Sequence, residues 1–164
     1  MNILASRVVE HLAKRDLTVA TAESCTGGMV ASTIISVPGS SAVMESSFIT
    51  YSNKSKQLIL GVPEEDLKSC GAVSEVVARK MAKGARQVAG TDIGVASTGI
   101  AGPGGATDGK PVGLVYIALS KPGRIICKKL YLNGSRNSVR RQATKKILKL
   151  ILEETGYYER NKTT

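Results

Sequence analysis

At 164 residues and 42% apolar content, the chain is sized for one globular domain, and it has no uninterrupted run of the roughly 18 apolar residues that suggest a membrane helix. Its three cysteines, Cys25, Cys70 and Cys127, show no C-x-x-C spacing, which argues against a disulfide framework or a structural zinc site. The formal net charge of +10 favours an anionic partner, but 4% aromatics and no Trp disfavour a binder that stacks unpaired bases. Free thiols and the absence of a secretory-signal pattern at the start give the expectation of a cytoplasmic, non-membrane protein.

In chain order, Ile3, Leu4, Val8, Val9 and Leu12 recur at helical spacing and predict a first helix over 3–14. A short apolar run over 17–22 predicts a buried strand. It leads into Glu23-Ser24-Cys25-Thr26-Gly27-Gly28 and a helix reaching about residue 36, with the two glycines just inside it. After the loop at Pro38-Gly39-Ser40-Ser41, residues 46–51 read as a strand and 53–60 as a helix stopped by Gly61 and Pro63. Ser74 can cap a helix running to about residue 88, with Glu75 in its first turn.

Residues 92–97 form a further apolar strand, which ends in the Gly-rich segment Thr98-Gly99-Ile100-Ala101-Gly102-Pro103-Gly104-Gly105. Strands over 113–119 and 124–131 flank Lys121-Pro122-Gly123, with Pro then Gly as a type II turn requires. A final helix over 135–154 buries Val139, Ala143, Ile147, Leu150 and Ile151. The expected fold is a three-layer α/β sandwich, its sheet mixed but mostly parallel and flanked by helices. One domain spans 1–156, followed by a flexible tail over 157–164.

The residue inventory narrows the chemistry. The single histidine, His11, lies in the first helix with no neighbouring nucleophile, which disfavours histidine-based triads and multi-histidine metal sites. Gly104 to Lys110 nearly spells a phosphate-binding P-loop, but Pro111 stands where Ser or Thr should hold magnesium, and a strand follows. No strand-to-helix G-x-G-x-x-G is present. A serine or threonine nucleophile remains, with lysine as base, because burial lowers the pKa of an amine.

Ser24 sits at a strand-to-helix junction, where free N–H groups and the helix dipole can hold an oxyanion or a phosphate. Read locally, Ser24 or Thr26 is simply a helix cap, the reading that local sequence alone favours. A second such junction, Tyr51-Ser52-Asn53-Lys54-Ser55-Lys56, offers two lysines, and on local sequence both can be solvated.

Six motifs then occur in order: Thr21-Ala22-Glu23-Ser24-Cys25-Thr26-Gly27-Gly28, Pro38-Gly39-Ser40-Ser41, Thr50-Tyr51-Ser52-Asn53-Lys54-Ser55-Lys56, Gly71-Ala72-Val73-Ser74-Glu75, the Thr98–Gly105 segment and Lys110-Pro111-Val112-Gly113. Together they resemble the CinA C-terminal domain family, the nicotinamide-mononucleotide amidohydrolases, over about residues 5–152. The resemblance implies deamidation of nicotinamide mononucleotide to nicotinate mononucleotide and ammonia. It also implies Ser24 as nucleophile, Lys56 as base and Tyr51 as helper, with no cofactor or metal. Glu23, Thr26, Gly27, Gly28, Ser40, Ser41, Asn53, Thr98, Gly99, Gly102, Arg136 and Arg140 are the expected substrate-binding residues. The expected partner is a phosphorylated pyridine nucleotide, with nucleic acid disfavoured and self-association expected. The chain departs from the family pattern at Ser135, where an aspartate commonly precedes the arginine corresponding to Arg136. It also lacks the N-terminal domain many members carry, so it resembles the stand-alone form. A nucleotide-binding module without turnover stays open as the alternative, and behind it a nucleic-acid-binding protein.

Overall fold

The computed structural model describes residues 2–160. Helix α1 (Asn2–Ala13) is followed by β1 (Val19–Glu23), α2 (Met29–Ile35), a 3-10 turn (Ser40–Ala42) and β2 (Met44–Ile49). Next come α3 (Asn53–Leu60), α4 (Glu64–Cys70), α5 (Glu75–Ala89) and β3 (Ile93–Gly99). The chain ends in the hairpin β4 (Leu114–Lys121) and β5 (Arg124–Tyr131), α6 (Arg136–Glu154) and a helical turn, α7 (Tyr157–Arg160). Strand order is β2-β1-β3-β4-β5, with β1 parallel to both β2 and β3 and the β3–β4 and β4–β5 pairs antiparallel. The sheet is therefore mixed, parallel at the β2 end, and a three-layer sandwich results.

Each sheet face is covered by its own set of helices. On one face, Val19, Ile93, Val95, Val115, Ile117 and Leu119 pack in a common core with residues of α1, α2 and α6. On the other, Ala20, Ala22, Ala96 and Ala118 meet α3, α4 and α5. The small residues of this second face let α5 lie close to the sheet, since a Cβ on Gly94 would stand 2.1 Å from the Ala82 carbonyl oxygen.

Several boundaries differ from expectation. Helix α4 was not anticipated, although Pro63 followed by Glu64, Glu65 and Asp66 in its first turn is a favourable helix start. Gly27 and Gly28 lie outside α2, not inside it: both have positive φ (58° and 90°), and Gly28 is the residue before the first helical turn. The expected tail begins with the α7 turn, where the Tyr157 ring meets His11 edge-on at 5.2 Å between centroids. The remainder of that expectation, residues 161–164, lies outside the described residues.

Gly84 shows how closely the helices of the second face pack. In an ordinary helix interior, Gly→Ala gains about 1 kcal/mol from propensity. Here the added Cβ would fall 2.2 Å from the Leu60 carbonyl oxygen, a backbone atom that cannot swing aside. Gly84→Ala is expected to destabilise the fold by about 1–3 kcal/mol, read as a lower urea midpoint. A stabilised variant would contradict the close α3–α5 packing.

Candidate functional site

The C-terminal ends of the parallel strands β1, β2 and β3 open on one edge of the sheet, as do the start of β4, the end of β5 and the first turn of α6. Ser24 leaves the end of β1 at the centre of this edge, its N–H held by the Ser97 carbonyl at 3.0 Å. Its hydroxyl meets Lys56 Nζ at 3.3 Å. Lys56 sits in α3, whose N-terminus is capped by Ser52, and its side chain is only 1% exposed. The amine also donates to the carbonyls of Thr50 (2.8 Å) and Tyr51 (3.1 Å).

Burial pushes the Lys56 amine below its ordinary value, opposed in part by Cys25. A neutral amine has two N–H groups and one lone pair. Two carbonyls take the two protons, leaving the lone pair for the Ser24 hydroxyl, so the neutral form suits a general base. Cys25, the adjacent nucleophile candidate, is buried, and its thiol is raised to about 11 chiefly by that burial. It stays a protonated thiol at neutral pH and is a poor nucleophile.

Glu23 points the opposite way from Ser24, as successive strand residues do. Its carboxylate, 1% exposed, accepts from the N–H groups of Gly28 (2.9 Å), Val30 (3.1 Å) and Ala31 (2.9 Å). It also accepts from the hydroxyls of Thr21 (3.3 Å) and Thr26 (2.6 Å). Since the Thr26 proton goes to Glu23, Ser97 must be the donor in the 2.6 Å contact between Ser97 and Thr26. From α6, Arg140 donates to the carbonyls of Cys25 (3.1 Å) and Thr26 (2.8 Å). Arg136 donates to the Gly102 carbonyl (2.8 Å) and meets the Tyr51 hydroxyl at 3.4 Å.

The family model for the CinA C-terminal domain matches residues 1–155. The chain belongs to that family. It is 54% identical over 136 residues to a CinA-like protein of Kosmotoga olearia, covering 83% of this chain but 33% of the relative. The chain thus spans about a third of the length of the curated relatives it matches. Among solved structures, it resembles the competence/damage inducible protein CihA from Agrobacterium tumefaciens (TM-score 0.90, 39% identity, 93% of each chain). It also resembles a CinA superfamily protein from Klebsiella pneumoniae (TM-score 0.92, 33% identity, 95% of this chain and 98% of the other).

Within this CinA C-terminal domain, Ser24, Lys56, Tyr51, Glu23, Thr26, Gly27, Gly28, Asn53, Thr98, Gly99, Gly102, Arg136 and Arg140 lie around the same sheet edge, but in several roles. Glu23, expected to bind substrate, is instead buried and engaged by the N–H groups at the start of α2. Gly28 has given its N–H to Glu23, which removes it from the free donors expected at the helix start. Among the described residues, no hydrogen bond uses the N–H of Thr26 or Gly27. Thr98 is buried and donates to the Ala72 carbonyl at 2.8 Å, and Gly99 is small because a Cβ would press 2.7 Å from the Leu114 carbonyl oxygen. Tyr51 reaches Lys56 only through its carbonyl. Its ring is 65% exposed with the hydroxyl turned to Arg136, so a proton relay through that hydroxyl is not in place.

Ser40 and Ser41 are not part of this cluster. They precede β2, whose first residue, Met44, pairs with Val19 at the start of β1, so they sit at the opposite end of the sheet. Ser135 caps α6, accepting from the Ser138 N–H at 3.3 Å, so the departure from the family's acidic residue preserves the helix start. No sequence pattern singles out Ser97, which links β3 to the Ser24 loop.

Among the described residues, no helix is long and apolar enough to cross a membrane, and no group of three or more His, Cys, Asp or Glu could hold a metal ion. A cavity of about 580 Å³ lies at the far end of the sheet, between Arg15, Asp92, Lys121 and Glu154. Its charges are largely engaged, Lys121 with Glu154 and Asp92 with Thr18, and it contains no nucleophile–base pair.

The lowered Lys56 value fixes a stability trend. The unfolded chain holds that proton more tightly than the folded one, so stability rises with pH from the depressed value up to the ordinary one. Comparison with Lys56→Met, which cannot titrate there, isolates this contribution. As pH rises towards the ordinary lysine value of 10.5, the urea midpoint of the wild type should rise relative to that of the variant. Parallel pH dependences would mean that Lys56 is not depressed.

Proposed function

We propose that this domain hydrolyses the carboxamide of a pyridine mononucleotide, nicotinamide mononucleotide, to the carboxylate and ammonia. The observation that carries this reading is the buried contact between Lys56 Nζ and Ser24 Oγ at a strand-to-helix turn. Family membership and the ordered motifs support the substrate class.

Lys56 takes the Ser24 proton as Oγ attacks the carboxamide carbon. The negative charge that develops on the carboxamide oxygen is held by the N–H groups of Thr26 and Gly27, a contribution of about 2.7–4 kcal/mol per donor in comparable sites. Protonated Lys56 returns its proton to the departing nitrogen, which leaves as ammonia. Water, deprotonated by the same amine, cleaves the acyl-serine and releases the carboxylate. Arg136, on the exposed rim beside Tyr51, supplies positive charge for the phosphate. Arg140 is committed to loop carbonyls and contributes mainly through them.

Ammonia release from nicotinamide mononucleotide tests the assignment. Ser24→Ala is expected to lose at least about 10³-fold in kcat, and Lys56→Met about 10²–10⁴-fold. Cys25→Ala should stay within about tenfold of the wild type, since its protonated thiol does no chemistry. Turnover that survives in Ser24→Ala, or disappears only in Cys25→Ala, would refute the Ser24 mechanism. In the wild type kcat/KM should rise with pH as the Lys56 amine loses its proton.

A further inference from the structure

Two buried or half-buried charged side chains grip the Ser24 loop, one by its donors and one by its acceptors. Glu23 holds the loop by its donors. Its two oxygens collect the N–H groups of Gly28, Val30 and Ala31 together with the Thr26 hydroxyl. Arg140 holds the loop by its acceptors, the carbonyls of Cys25 and Thr26.

Those carbonyls belong to the peptide units that carry the N–H groups of Thr26 and Gly27. In a trans peptide, C=O and N–H point in opposite directions. Fixing the two carbonyls on Arg140 therefore turns the two N–H groups away from it. Glu23 meanwhile consumes the next donors along the chain. What remains beside the nucleophile, among the described residues, are the amides of Cys25, Thr26 and Gly27, and Arg140 orients the last two through their carbonyls. The glycine at position 27 fits this geometry, with φ 58° and room for no more than a 3.4 Å approach between a Cβ and the guanidinium.

We propose that Glu23 and Arg140 are a paired clamp of positioning residues, which reserves the Thr26 and Gly27 amides as the oxyanion site for Ser24. This rests on the amidohydrolase reading for its substrate, but not for its geometry. The Glu23 carboxylate is engaged with the loop, while the Lys56 amine is lowered by its own burial, opposed in part by Cys25. The link through Thr26 and Ser97 extends the clamp to β3, whose Ser97 carbonyl anchors the Ser24 N–H.

The variants are Glu23→Gln, which puts an amide NH₂ where a carboxylate oxygen meets N–H donors, and Arg140→Lys, whose single amine cannot span two carbonyls and Asn137. Two rates are measured on each folded protein: ammonia release from nicotinamide mononucleotide, and labelling of Ser24 by a fluorophosphonate probe. In the second reaction Ser24 Oγ bonds to phosphorus, fluoride leaves and the serine proton passes to Lys56.

The clamp predicts a fall of at least about tenfold in kcat with KM changed less than about threefold. Labelling should slow in parallel, while the pH at which labelling rises stays that of the wild type. A raised KM with intact kcat would make these residues substrate contacts and overturn the clamp, as would unchanged rates in both variants. If the wild type is labelled but releases no ammonia, the substrate reading fails alone, and slowed labelling in the variants still upholds the clamp. A wild type that is neither labelled nor active overturns both. Should Glu23→Gln fail to fold, Thr26→Val, which cuts the link to Glu23 and Ser97, carries the same expected losses.

Discussion

The desolvation of one amine organises the working edge of this domain. Lys56 leaves α3 and turns back under the end of β2, where it ties the Thr50 and Tyr51 carbonyls to the Ser24 hydroxyl. A buried ammonium with no carboxylate partner is expensive, and the same group as a neutral amine is fully matched by what surrounds it. Structure and reactivity therefore draw on one arrangement. The contacts that close the β2–α3 junction are also those that leave a lone pair facing a serine.

The alternation of side chains along β1 makes this possible. Glu23 and Ser24 are neighbours in sequence but belong to opposite faces of the sheet. Glu23 turns to the α1–α2–α6 side and finds the start of α2, while Ser24 turns to the α3–α4–α5 side and finds Lys56. One strand end can thus anchor a helix with one residue and present a nucleophile with the next. The same alternation explains the uneven faces of the sheet. Branched residues fill the space under α1 and α6, whereas alanines and glycines on the other face let α5 settle almost onto the strands.

Much of this was legible in the sequence because it is local. Apolar periodicity marked the strands and long helices, Gly61 and Pro63 marked the end of α3, and the ordered motifs brought Ser24 and Lys56 into one site. The remainder depends on partners that sequence separation hides. Glu23 looked like one more polar residue of a binding motif, because the donors that bury it come from a helix whose start was misplaced by two glycines. Ser97 carries no pattern beyond a strand, and its role exists only through Thr26, 71 residues away. Ser40 and Ser41 were grouped with the site by motif membership. The parallel pairing of β1 with β2 sends them to the opposite end of the sheet, which no local pattern reveals.

The charge of the chain takes a different meaning once its cations are placed. A net +10 could describe a surface for a polyanion or a pocket for a phosphate. In the fold, several of the cations donate to backbone carbonyls: Arg79 to Ile125, Lys110 to Cys70, Arg136 to Gly102 and Arg140 to the Ser24 loop. Each satisfies an acceptor at a loop or an element end, work that a neutral donor would do with less strength. Part of the positive charge is thereby tied to the loops that shape the site. Around Ser24 it takes the form of two arginines on the first turns of one helix, one fastened to the nucleophile's loop and one left at the rim. That division follows from their spacing of four residues, which puts Arg136 and Arg140 on the same face of α6 one turn apart. The helix start thereby serves the loop and the mouth of the site at once, at the price of a fixed register between α6 and the end of β1.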